Sequence, residues 1–158
     1  MYIHYRKVTG YDYDKVELLI DGIVVGNQLD DNSYIEDGFR LHDLYHIGLY
    51  EFFKIKNGVT QTLIEDLQRT YRNNIEECVI LLMFEYSKYK EKHGLTNTCM
   101  FDTIIDLLSQ LGINEDKEII RDFMKNTYET LKHVLKLFND FNNDVFLTTK
   151  DNNKFKIT

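Results

Sequence analysis

The stretch from Asp37 to Ile55 constrains the fold most, because wound as a helix it is apolar on nearly every side. Phe39, Leu41, Leu44, Tyr45, Ile47, Leu49, Tyr50, Phe52 and Phe53 leave no broad polar face. A helix of that kind belongs at the centre of a fold, covered by other elements, yet this one also carries Arg40, His42, Asp43 and His46. Asn57-Gly58 ends it. Three further helices are expected around it. One runs from about Asn74 to Lys92, stopped by His93-Gly94 with glycine just past the helix end. The next covers about Met100 to Leu111 and closes on Gly112. The last opens at Asn114 as N-cap, followed by Glu115 and Asp116, acids that suit a positive helix start. Its stripe Ile120, Phe123, Thr127, Leu131, Val134, Phe138 and Phe141 keeps helical spacing. The polar stretch Thr60 to Asn73 reads equally as helix or structured loop.

The two ends of the chain read differently. Tyr2 to Lys7 alternates, Val16 to Ile20 is a short apolar run, and Asp21-Gly22 is a hairpin turn signal before Ile23-Val24-Val25. Val145 to Thr149 and Lys154 to Ile157 flank a polar turn and predict a closing hairpin. An isolated hairpin is barely stable in water, so the N-terminal strands are its natural partner. The expectation is an α+β chain forming a single domain over residues 1–158: about four helices, with a small antiparallel sheet drawn from both termini.

Composition narrows the function. The chain has 158 residues, 13% of them aromatic, with no Trp and no Pro. Its net charge is −7, and the span Tyr11 to Gly38 holds eight acidic residues against one lysine, which accounts for all of it. A duplex nucleic-acid binder needs a basic face, so that class is excluded. An acidic block usually marks solvated turns, but it also raises the local cation concentration. No run is apolar for long enough to span a membrane, and Met1 to Arg6 lacks the layout of a signal peptide; a cytoplasmic protein is expected. Cys78 and Cys99 are too few for a disulfide scaffold, and their apolar flanks predict buried, reduced thiols.

The chemistry concentrates in Asp37-Gly38-Phe39-Arg40-Leu41-His42-Asp43-Leu44-Tyr45-His46. His42 and His46 are four apart on a helix, so their side chains share one face and can grip one divalent metal ion. Asp43 is one step round and serves as a further ligand, a base, or an acceptor that fixes a histidine tautomer. The second helix opens with Glu76 and Glu77; if the two helices pack antiparallel, these acids face the histidines. Either glutamate would complete a His/His/carboxylate set, with Asp43 or the other as base; the assignment expected is His42, His46 and Glu77 as metal ligands and Asp43 and Glu76 as catalytic carboxylates. Against it stands a simpler account: a buried histidine pair bonded to backbone or tyrosine, and glutamates placed by the helix dipole. Arg40 and His46 also form an Arg-x5-His pattern, the spacing of a HEPN-type metal-independent ribonuclease. On a regular helix those two residues lie about 120° apart, which suits joint action poorly.

Residues 23–46, from Ile23-Val24-Val25 through Asp31-Asn32-Ser33-Tyr34 to His42-Asp43-Leu44-Tyr45-His46, resemble the domain C-terminal to MazG-type nucleotide pyrophosphohydrolase domains. That group carries a DN-x-Y-x-x-DG-[YF]-R-[FL]-HD-x-x-H signature with an Ile-Glu-Glu block downstream, like Ile75-Glu76-Glu77. The resemblance implies a nucleotide-related role, in nucleotide-pool or phage-conflict biology, with a small-molecule nucleotide as partner. It adds weight to His42, Asp43, His46, Glu76 and Glu77 as a set. The pyrophosphohydrolase motif itself is missing: Glu115-Asp116-Lys117-Glu118 is an ExxE with no ExxD after it. The expected function is a metal-dependent hydrolase of a nucleotide or related phosphate ester, with Arg40 holding phosphate. The alternatives are a non-catalytic nucleotide- or protein-binding module with a structural polar core, and the ribonuclease. A homo-oligomer or a partner protein stays open.

Overall fold

Alternating sequence at both ends of the chain builds one sheet. The computed structural model describes residues 1–8, 15–25, 42–54, 74–141, 144–150 and 153–158. Strands β1 (Tyr2–Val8), β2 (Lys15–Ile20), β3 (Ile23–Val24), β4 (Val145–Lys150) and β5 (Lys154–Ile157) pair antiparallel in the order β3-β2-β1-β4-β5. Ile3 lies opposite both Ile20 and Leu147, and Tyr5 opposite both Leu18 and Val145. These residues therefore line one face, and all six are buried. The closing hairpin thus completes the sheet that the N-terminal strands begin.

Asp21 and Gly22 both take positive φ, 47° and 85°, the pairing a two-residue hairpin turn needs to follow strand twist. Asp21 also ties the turn to β1, accepting from the Tyr2 N–H at 2.7 Å and donating its own N–H to the Tyr2 carbonyl at 2.8 Å.

Among the described residues four α-helices lie against this sheet or one another: α1 (Asp43–Gly48), α2 (Asn74–His93), α3 (Thr98–Gln110) and α4 (Lys117–Phe141), which together with the sheet make an α+β fold. Residues 42–50 are all buried, as the all-round apolar pattern predicts. The expected start of that helix, the stretch 60–73 and Arg40 lie outside the described residues. After Gly48 the winding loosens into a π-helical segment, Leu49–Lys54, a change no local sequence signal announces. Within it the consecutive rings of Phe52 and Phe53 both meet Phe123, at centroid distances of 6.2 and 5.2 Å.

Several boundaries differ from expectation for identifiable reasons. Helix α3 begins earlier, because the Asn97 side chain caps it by accepting from the Met100 N–H at 3.1 Å. Its end is a Schellman turn: the N–H of Gly112 bonds the Ser109 carbonyl and that of Ile113 the Leu108 carbonyl. The N-cap of α4 is Asp116 rather than Asn114; Asp116 accepts from the Glu118 N–H at 2.8 Å, while Asn114 accepts from the Ser109 hydroxyl. Cys78 and Cys99 are free but exposed, not buried. Their apolar neighbours in sequence project about 100° away around the helix and take the core positions instead.

Gly48 sits where α1 passes close against the Phe123 ring of α4. A Cβ there would stand 2.3 and 2.6 Å from two atoms of the Phe123 ring, itself hemmed in by Tyr45, Phe52 and Phe53. Helix propensity favours alanine by about 1 kcal/mol, whereas overpacking a core costs about 1–3 kcal/mol. Gly48→Ala is therefore expected to lower the melting temperature by about 2–8 °C in thermal unfolding. A rise would show that the Phe123 ring yields without cost.

Candidate metal centre

The first buried helix and the start of α2 meet through side chains that would be costly to bury singly. His42, His46 and Tyr50 are spaced four apart and form one stripe; Glu76 and Glu77 occupy the first turn of α2. His42 Nε2 lies 3.2 Å from Glu77 Oε1, and His46 Nε2 lies 3.1 Å from Glu77 Oε2. His46 Nδ1 lies 3.3 Å from Glu76 Oε1, and the Tyr50 hydroxyl donates to Glu76 Oε2 at 3.1 Å. As the numbers rise along the first helix the partner shifts from Glu77 to Glu76, the order an antiparallel crossing produces. Helix-start placement adds its own support, since the dipole favours carboxylates there.

One donor atom from each of His42, His46 and Glu77 lies within 4.8 Å of the other two, among the described residues the group with metal-holding spacing. Asp43 joins from the side, its Oδ1 3.5 Å from His42 Nε2. Burial divides the cluster. Asp43 and His46 are fully buried and Glu76 nearly so, whereas the Glu77 side chain is 31% exposed. Glu77 thus forms the solvent edge of an otherwise sealed set.

The charges are coupled. Burial works against a charged His46 ring, but hydrogen bonds to Glu76 and Glu77 and the nearby charge of Asp43 outweigh it and push its pKa up to about 9. Hydrogen bonds from His42 and His46 hold the Glu77 carboxyl well below the usual carboxylate range.

The structure therefore brings together five of the residues the sequence singles out: His42, Asp43, His46, Glu76 and Glu77. Arg40 is outside the described residues, and so is its pairing with His46. Glu85, two turns further along α2 than Glu77, is exposed and pairs with Lys88. Tyr50, four residues after His46 on the same stripe, is expected from the sequence only as a hydrogen-bond partner of a structural histidine pair; its hydroxyl donates to Glu76. A groove of about 260 Å³ between α2 and α4, with Lys90, Lys125 and Tyr128 in its walls, contains none of these residues.

An α+β fold with a two-histidine, one-carboxylate cluster buried between its central helix and the next defines the class of protein. Residues 1–136 match the family model of the MazG C-terminal domain, and the chain belongs to that family, which is linked to the MazG nucleotide pyrophosphohydrolases. The match ends within α4, before β4 and β5. No curated protein sequence and no solved structure matches the chain. No helix among the described residues is long and apolar enough to cross a membrane.

The raised His46 pKa carries a definite pH dependence. A group raised from 6.5 to about 9 by folding stabilises fully below its unfolded value, and that stability is lost as pH rises through the folded value. The metal-free protein is expected to lose a few kcal/mol, on the order of 5–10 °C in melting temperature, between pH 6.5 and pH 9.5. Differential scanning calorimetry across that range reads it. A flat profile would mean that the cluster does not hold a proton on His46.

Proposed function

We propose that this chain is a metal-dependent hydrolase acting on a nucleotide or a related phosphate ester, with His42, His46 and Glu77 as the ligands of one divalent cation. The observation that supports this most is the convergence of two imidazole Nε2 atoms on the two oxygens of one half-buried carboxylate. Two imidazoles and a carboxylate match the donor set of His2Glu catalytic zinc sites, and imidazole donors suit zinc and its transition-metal neighbours better than calcium or magnesium. A cation held by these three residues would supply an acidified water and polarise a phosphoryl oxygen. Asp43, whose Oδ1 lies 3.5 Å from His42 Nε2, would take a proton from that water. Arg40, two residues before His42, would hold a phosphate oxygen. The nucleotide class rests on the link between the family and the MazG pyrophosphohydrolases.

A second reading has its own support: Tyr50, Glu76, His46, Glu77 and His42 form an unbroken chain of direct side-chain contacts. On this reading the cluster is a structural polar core of a module that binds a nucleotide or a protein without chemistry.

Metal titration by calorimetry, with elemental analysis, separates the two. The hydrolase reading expects one equivalent of Zn2+ or Mn2+ on the wild type and none on His42→Ala, with EDTA lowering the melting temperature of the loaded protein. Equal binding by both proteins, or by neither, ends it and leaves the structural core. With the metal bound, Asp43→Asn is expected to lower phosphate-ester turnover by about 10²–10⁴-fold while the ion is retained.

A further inference from the structure

The two glutamates of α2 are adjacent in sequence but meet the histidines on different sides. Glu77 touches the Nε2 atoms of both His42 and His46. Glu76 lies behind His46, on Nδ1, and its other oxygen is engaged by the Tyr50 hydroxyl. The exposures agree: the Glu76 side chain is 3% exposed and that of Glu77 31%.

A histidine can offer a lone pair to a cation from one ring nitrogen only if the other carries the proton, and the acceptor at that second nitrogen decides which is which. For His46 the acceptor at Nδ1 is a buried carboxylate that cannot turn away without abandoning Tyr50. We propose that Glu76 and Tyr50 are a positioning pair: Glu76 accepts the Nδ1–H of His46, Tyr50 fixes the carboxylate, and the His46 lone pair is thereby directed from Nε2 toward Glu77 and His42. This rests on the metal-centre reading and changes the role expected of Glu76 from proton transfer to orientation. Tyr50 follows His46 by one turn, so ligand and support lie on a single helical stripe and move as one body.

Visible-range Co2+ titration tests this without reference to turnover. Wild type and Tyr50→Phe are expected to give the same cobalt spectrum, with affinity several-fold lower in the variant. Glu76→Ala keeps the spectrum and one ion with affinity about 10–100-fold lower, and Glu76→Gln falls between it and wild type. Glu77→Ala is expected to change or abolish the spectrum. If Glu76→Ala behaves as Glu77→Ala does, Glu76 is itself a ligand and the pairing is overturned. If Glu76→Ala and Tyr50→Phe bind as wild type does, neither residue positions anything, although the metal centre stands. Should Glu76→Ala not fold, Tyr50→Phe alone decides by the same criterion. A wild type that binds no Co2+ removes the metal centre itself, and this inference with it.

Discussion

Two imidazoles and three carboxylates placed between helices with almost no solvent face are the constraint that organises this molecule. An isolated ion transferred into a protein interior costs several kcal/mol even after relaxation, so none of these groups is tolerable alone. Each sits at the position where another can answer it: Glu77 between two rings, Glu76 between a ring and a phenol, Asp43 beside His42. The set therefore fixes the rotation of α2 relative to the first helix. Turning α2 by one residue would exchange Glu77 for the exposed Cys78 and leave the cluster uncompensated.

The apolar frame supports that rotation from behind. Gly48 brings α1 against Phe123 of α4, and the π-helical turn after it lets Phe52 and Phe53 grip the same ring. Phe52 also reaches Phe155 of β5, at a centroid distance of 5.1 Å. The sheet, the long helix α4 and the histidine helix are thus joined through one aromatic contact set. A substitution there would reach the cluster through packing, since interiors are too dense to absorb a shift locally.

Much of this was legible because it depends on spacing. The Asp21-Gly22 turn, the two termini sharing a sheet, glycines past the ends of α2 and α3, and histidines one turn apart facing paired glutamates are all readable as period and punctuation. What was not legible depends on phase or on three-dimensional context. The flanks of Cys78 and Cys99 are apolar in sequence, but adjacent helical residues face different directions, so the thiols fall outside. Asn114 and Asp116 are both good caps, and only the path of the chain selects Asp116. The π-helical segment has no local signature; within it Phe52 and Phe53 both meet the Phe123 ring, some seventy residues away in sequence. Likewise the division of labour between Glu76 and Glu77 follows from the rotation of α2, which no sequence period specifies to within one residue.

The asymmetry of the cluster bears on which of its two readings the molecule favours. A polar core that serves only structure gains by being sealed, and hydrophobic residues of similar volume often do the same job at no loss of stability. Here the inner half is sealed: His46, Glu76 and Tyr50 are at most 5% exposed. The outer half is not, because Glu77, the carboxylate that both histidines share, keeps 31% of its side chain in solvent. Structural metal sites are closed, whereas catalytic ones hold the ion rigidly from behind and keep a coordination position open. A sealed rear and a half-exposed front suit an exchanging ligand better than a purely structural core. That contrast, more than the presence of histidines, supports reading the cluster as a working centre.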